Sequence, residues 1–164
     1  MGIRPFGVDD ARVIGALSAY VKLLRAGRAV LARVEPRLAA AGLTPTQFGV
    51  LEAILHKGPL GQRELGRKVL TSPGNMTDVV DKLAARGLVR RTRHKQDRRA
   101  VVVELTPEGR ALVAPLFTAH ATDIAAAMSG LSREELRQFS KLLRKLGGAG
   151  AAAANGEADG KYQV

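Results

Sequence analysis

Six of the ten residues in RRTRHKQDRR, positions 90 to 99, are Lys or Arg, and one is Asp. The chemistry open to such a run is polyanion binding. Guanidinium groups meet phosphate oxygens in pairs, and they enter narrow minor grooves where the negative potential is strongest. Taken alone, the run reads as a solvated charged loop. Its flanks reverse that reading: LAARGLV before it is a helix end running into a strand, and AVVVELT after it is strand-like. From Arg86 to Arg99 there are seven basic residues and a single acid, Asp97. A hairpin would hold them in one place, with Arg98 or Arg99 suited to a minor groove and Arg90, Arg91, Arg93 and Lys95 near phosphates.

A second group lies just upstream, in LGRKVLTSPGNMTDVVDKLAARGLV, residues 65 to 89. A short helix, a turn and a second helix form a helix-turn-helix, whose second helix enters the major groove by its N-terminal end. Thr71, Ser72, Asn75, Thr77 and Asp78 occupy that end. They are small and polar enough to approach a groove floor, and the helix N-terminus itself favours a phosphate. Ser72 reads equally well as a cap, and the two roles can coexist. Met76, Val80 and Leu83, at i, i+4 and i+7, read as core.

Nothing in the chain points to catalysis. There is no paired-carboxylate constellation, no metal cluster, no glycine loop to cradle phosphates and no nucleophile with an evident base. His56, His94 and His120 lack metal-ligand spacing and read as incidental. No cofactor is expected.

The elements that position these groups follow from periodicity and punctuation. Val13, Leu17, Val21, Leu24, Leu31, Val34 and Leu38 predict a helix over 9–41, weakened at Gly15 and Gly27 and kinked at Pro36. A helix of that length exceeds what so small a domain can cover, so it is expected to lie against a partner chain. Gly42 closes it, and Thr44-Pro45-Thr46-Gln47 opens the next as a capping box, with Phe48, Leu51, Ile54 and Leu55 buried. QRELGRKVL is a short helix, and Ser72-Pro73 starts another that Gly87 closes. Leu88–Arg93 and Ala100–Leu105 are strands; Thr106-Pro107 opens a helix interrupted at Pro115; and Ser132 to Glu135 caps a last one. After Gly147 the low-complexity sequence predicts a frayed tail. The order is that of a winged helix-turn-helix with helices left over at both ends.

Composition bounds the partners. Among 164 residues, 46 % are hydrophobic but only 4 % aromatic, so the core is built from Leu, Val, Ala and Ile. The formal charge of +11 favours nucleic acid, an anionic membrane or an acidic protein. The absence of Cys excludes disulfides and thiol redox sensing. No apolar run reaches the roughly 20 residues of a membrane span, and MGIRPFGVDDARV lacks the pattern of a signal peptide. A cytoplasmic, nucleoid-associated protein is expected, with no membrane partner.

The stretch from Leu65 to Gly109, with GNMT, VVDKLAARGLVRR, DRRAVVVELT and LTPEG, resembles the MarR family of bacterial transcription regulators. LTPTQFGVLEAI, residues 43 to 54, is similar to the family's second helix, and the resemblance spans residues 10 to 146 or so. It implies an obligate homodimer with interleaved terminal helices, whose two wings and recognition helices read a pseudo-palindromic double-stranded operator. It implies that Asp97 pairs with a neighbouring arginine to fix the wing tip. It further implies a repressor released by a small effector, commonly an anionic aromatic, or by oxidation. The lack of Cys removes the oxidation route, and the lack of Trp removes the urate-binding branch. The effector pocket is implied where the first, second and fifth helices meet. Arg25, Arg28 or His56 could meet a carboxylate there, although surface or dimer-edge charge is the plainer reading of the two arginines.

The resulting expectation is a mainly α chain with a small β-wing. Residues 9–41 and 106–146 form a helical dimerisation region, 42–105 a winged helix-turn-helix and 147–164 a disordered tail. The competing expectation is a non-specific nucleic-acid-coating protein, for which the charge alone would suffice.

Overall fold

Every helix start named by a cap in the sequence is found at or beside that cap in the computed structural model, which describes residues 10–69, 72–93 and 101–154. The elements run α1 (Ala11–Ala40), α2 (Pro45–Lys57), β1 (Leu60–Gly61), α3 (Gln62–Lys68) and α4 (Pro73–Ala85). β2 (Val89–Arg93), β3 (Val101–Leu105), α5 (Pro107–Ala127) and α6 (Arg133–Ala154) follow. The chain divides into two compact units, one ending at Ala127 and one beginning at Met128. The expected class, mainly α with a small β-wing, is the class found.

Local chemistry sets the boundaries. Asp10 accepts from Arg12 N at the start of α1. Thr44 and Gln47 exchange hydrogen bonds with each other's backbone N–H, a complete capping box with Pro45 at the first helical position. Ser132 and Glu135 do the same at α6, and the two bonds from Ser132 hold the Glu135 carboxyl below its usual range. Gly42 and Gly87 take φ of 67° and 69°, which an L side chain resists, and so turn the chain out of α1 and α4.

Three expectations need correction. α5 runs unbroken through Pro115, while α1 spans Pro36 as its expected range of 9–41 requires. A helical proline lacks one N–H and crowds the carbonyl four residues back, and buried Val113 and Leu38 hold the flanking turns in the core against that cost. α6 continues past Gly147 and Gly148 to Ala154, because the alanines that follow are the best helix formers and offset the glycines. β1 was not expected at all: two residues are too few to show a period.

The sheet is antiparallel in the order β1-β3-β2. Leu60 faces Val103, and Val89 to Arg93 face Leu105 to Val101. Beneath it, Phe48, Leu51, Ile54, Leu65, Met76, Val80, Leu83, Val103 and Val113 form one buried cluster. Each is aliphatic or sulfur-containing except Phe48, as the low aromatic content requires.

Two joints tie this core to α4 and the wing. Thr106 donates its N–H to Leu88 O at 3.1 Å and its hydroxyl to Gly87 O at 2.6 Å, and accepts from Gly109 N at 2.9 Å. The motif LTPEG thus fastens the start of α5 to the base of the wing. At the same C-terminal end of α4, Arg86 donates to Gly42 O at 2.5 Å and Ala41 O at 3.2 Å, pinning the helix to the α1–α2 corner. Arg86→Ala should lower stability by about 1 kcal/mol, the usual net worth of such bonds. Urea denaturation checks this; a midpoint unchanged from wild type would mean the joint contributes nothing.

Arg37 and Asp123 join α1 to α5 through a two-point ion pair. The hydrogen bond from Arg37 is the main cause holding the Asp123 carboxyl below its usual range. The contribution of a depressed carboxyl is present at neutral pH and is lost only as pH falls through its lowered value. Asp123→Asn should therefore remove part of the acid-side loss of stability while leaving the alkaline side unchanged, as thermal melts across pH would record.

Candidate nucleic-acid interface

α3 and α4 form the helix-turn-helix. Met76, Val79, Val80 and Leu83 bury one face of α4 in the core. Ser72, Gly74, Asn75, Thr77, Asp78 and Asp81 are exposed on the other. Ser72 is the N-cap and accepts from Asn75 N at 3.4 Å. The expected contact residues Ser72, Asn75 and Thr77 are thereby brought together at the positive end of the helix dipole. Thr71 lies outside the described residues.

The wing packs against α4, with Arg91 of β2 bonded to Asp81. β2 and β3 pair with Arg93 opposite Val101, so the segment between them closes a hairpin. Lys95, Asp97, Arg98 and Arg99 belong to that segment, as does His94, and all five lie outside the described residues. Arg93 is exposed on the last position of β2.

Two arginines expected near phosphates are otherwise engaged. Arg90 bonds Glu104, its direct cross-strand partner, at 2.6 Å. Arg91 bonds Asp81 of α4 at 2.7 Å, which ties the wing to the recognition helix. Exposed pairs of this kind add only about 0–1 kcal/mol, so orientation is their main effect. The sequence reading missed both acids. The signal for Glu104 was available, since pairing Val89 with Leu105 puts Arg90 and Glu104 opposite each other. Asp81 had none, because its partner is set by tertiary docking.

A cavity of about 250 Å³ lies between α1, α2 and α5, where the resemblance places an effector pocket. Leu31, Val34, Leu38, Phe48, Phe117 and Ile124 supply its apolar wall. Its polar groups are Glu35, Glu52 and His120; Arg25, Arg28 and His56 are not among its lining residues. His120 is only 8 % exposed, stands edge-on to Phe48 with ring centroids 4.8 Å apart, and leaves Nδ1 buried without a hydrogen-bond partner among the described residues. It is not incidental, as its sequence context suggested. Its spacing of three from Phe117 and seven from Val113 on α5 was the signal that places it on the inward face. His56 packs edge-on against Phe117 instead, at 4.6 Å.

Among the described residues no group of three or more His, Cys, Asp or Glu could hold a metal ion, and no single helix is long and apolar enough to cross a membrane.

The sequence profile of the MarR family matches residues 43–101, from just before α2 to the first residue of β3. The regulator MhqR of Bacillus subtilis, a helix-turn-helix transcriptional regulator, is 34 % identical over 132 residues, covering 80 % of this chain and 91 % of its own. BpsR of Bordetella bronchiseptica, whose DNA binding is regulated by 6-hydroxynicotinic acid, superposes with a TM-score of 0.69 at 28 % identity. That match covers 79 % of this chain and 98 % of BpsR. CouR of Rhodococcus jostii, solved with p-coumaroyl-CoA bound, gives 0.70 at 27 % identity over 76 % of this chain and 87 % of its own. With the winged helix-turn-helix and a relative of this similarity matched over nearly its full length, the chain belongs to the MarR family and is a transcription regulator rather than an enzyme.

Proposed function

We propose that the chain acts as a homodimer that binds a pseudo-palindromic operator and represses transcription until a small molecule occupies the cavity. One observation carries the reading: the exposed polar start of α4 and a two-stranded basic wing bonded to the same helix at Asp81 are both left uncovered by the core. In this arrangement Thr71, Ser72, Asn75 and Thr77 face the major groove. Arg93 and Lys95 meet phosphates, Arg98 or Arg99 enters the minor groove, and Asp97 orients the wing tip. The helical ends, 9–41 and 106–146, serve dimerisation, and 42–105 reads DNA.

α1 supports the dimer. It buries only Val34 and Leu38, both in its last two turns, while Leu17 and Leu24 are each 43 % exposed and Tyr20 is 59 % exposed. On α6, Leu142, Leu143 and Leu146 are exposed as well. The cavity and the ligand-responsive relatives support effector control. The working place of such a protein is the chromosome, hence the cytoplasm.

Wing contacts are tested by Arg98→Ala and Arg99→Ala. The one that reads a groove should cost about 1–3 kcal/mol of operator affinity, and a phosphate contact should lower the salt slope by about 1. Fluorescence anisotropy on an operator duplex measures both. Unchanged affinity and slope in the double variant would remove the wing from the account.

A further inference from the structure

We propose that the cavity between α1, α2 and α5 takes a small organic cation, an ammonium group on an apolar body of about one aromatic ring. This rests on reading the cavity as the effector site and names the class of effector.

Charge is the first argument. The protein carries 26 Lys and Arg against 15 Asp and Glu, yet no Lys or Arg among the described residues lines the cavity, whereas Glu35 and Glu52 do. Neither carboxylate has an ion-pair partner among the described residues, although cations outnumber acids across the chain. Arg37, two positions from Glu35, is committed to Asp123. An anionic ligand would enter beside two like charges, exposed Glu35 and half-buried Glu52, with no Lys or Arg to meet it, which disfavours it. The resemblance alone implies an anionic aromatic; these side chains favour the opposite charge.

His120 is the second and independent argument. Its ring is part of the cavity wall, it is 8 % exposed, and its buried Nδ1 has no partner among the described residues. A buried polar atom left unpaired is costly; Nδ1 is itself closed to solvent, so a ligand N–H satisfies it only where the side chains over it give way, in the tautomer that carries the ring proton on Nε2. Phe48 and Phe117 offer rings to the same cationic centre. Size sets the body: a cavity of about 150 Å³ accommodates benzene, so 250 Å³ admits one substituted ring.

The test uses the purified full-length protein and three probes of one shape: phenethylammonium, 3-phenylpropanoate and phenethyl alcohol. Isothermal titration calorimetry should show saturable binding of the ammonium, at least about tenfold tighter than the carboxylate, with the alcohol between them. Glu52→Gln and Glu35→Gln should each weaken the ammonium and leave the carboxylate unchanged or tighter. The proposal is overturned if the carboxylate binds as tightly as the ammonium, if neither variant alters the preference, or if the ammonium does not bind saturably at millimolar concentration. Operator binding by the unliganded protein is measured in parallel. Its loss would count against the regulator reading without touching the titration, and its presence beside a failed titration would sink only the cationic ligand.

Discussion

Replacing Leu17 and Leu24 together by Asp should convert the proposed homodimer to monomers and weaken binding to its proposed operator by roughly 10²–10⁴-fold, the avidity lost when two linked half-site contacts become one. The physical reason lies in α1. A 30-residue helix is about 45 Å long, and only its C-terminal third contributes buried residues to its own chain. Upstream of Val34, its apolar side chains Val13, Leu17, Tyr20, Val21, Leu24 and Leu31 are all exposed. A continuous apolar stripe of this length marks a protein interface. Two charges placed on it face desolvation in a dimer and none in a monomer. Because neither leucine touches the winged helix core, the variant should keep its helical circular dichroism. Sedimentation velocity distinguishes the outcomes: a variant that sediments as the wild-type dimer would place the interface elsewhere.

The second large effect is expected from Gly109→Ala. Gly109 is buried in the first turn of α5, and a methyl group built on it would lie 1.9 Å from Leu88 O and 2.8 Å from its carbonyl carbon. Both are backbone atoms, so no rotamer relieves the contact. Leu88 O also accepts from Thr106 N, and shifting it would break the joint between α5 and the wing. Overpacking costs typically 1–3 kcal/mol, and an obstacle made of backbone puts this case at about 3 kcal/mol or beyond. Thermal denaturation should show a loss of many degrees, with a parallel loss of DNA affinity at temperatures where the variant is still folded. A melting temperature within a degree or two of wild type would show that the helix start moves freely against β2. The glycine of LTPEG is thus explained by close approach rather than by an unusual φ.

How far the sequence could be read depended on whether the signal was local. Thr44-Pro45, Ser72-Pro73 and Ser132 through Glu135 announced helix starts because a cap and its partner lie within one turn. The stripe Met76, Val80, Leu83 fixed the buried face of α4, and so left Asn75 and Thr77 outside. β1 was invisible because its identity resides in β3, to which Leu60 and Gly61 pair from some forty residues away. The engagement of Arg90 and Arg91 by Glu104 and Asp81 depends on register and docking, so a count of basic residues could not show it. The cavity followed the same rule. Its place was implied by resemblance, but its chemistry, two carboxylates and a buried histidine drawn from three helices, appears only once those helices pack.

The central claim is that this surface reads a sequence rather than coating an anion, and one measurement tests it most directly. Anisotropy titrations of the purified protein, from 50 to 300 mM salt, would compare a duplex carrying a pseudo-palindrome from its own promoter region with a scrambled duplex of equal length. Both log K plots should fall with log salt, since phosphate contacts release counterions from either duplex. The account predicts that the promoter duplex stays tighter by about 10³-fold or more throughout, the lower end of specific recognition. Two superimposed lines would contradict it and leave only a charged protein that binds DNA by its phosphates.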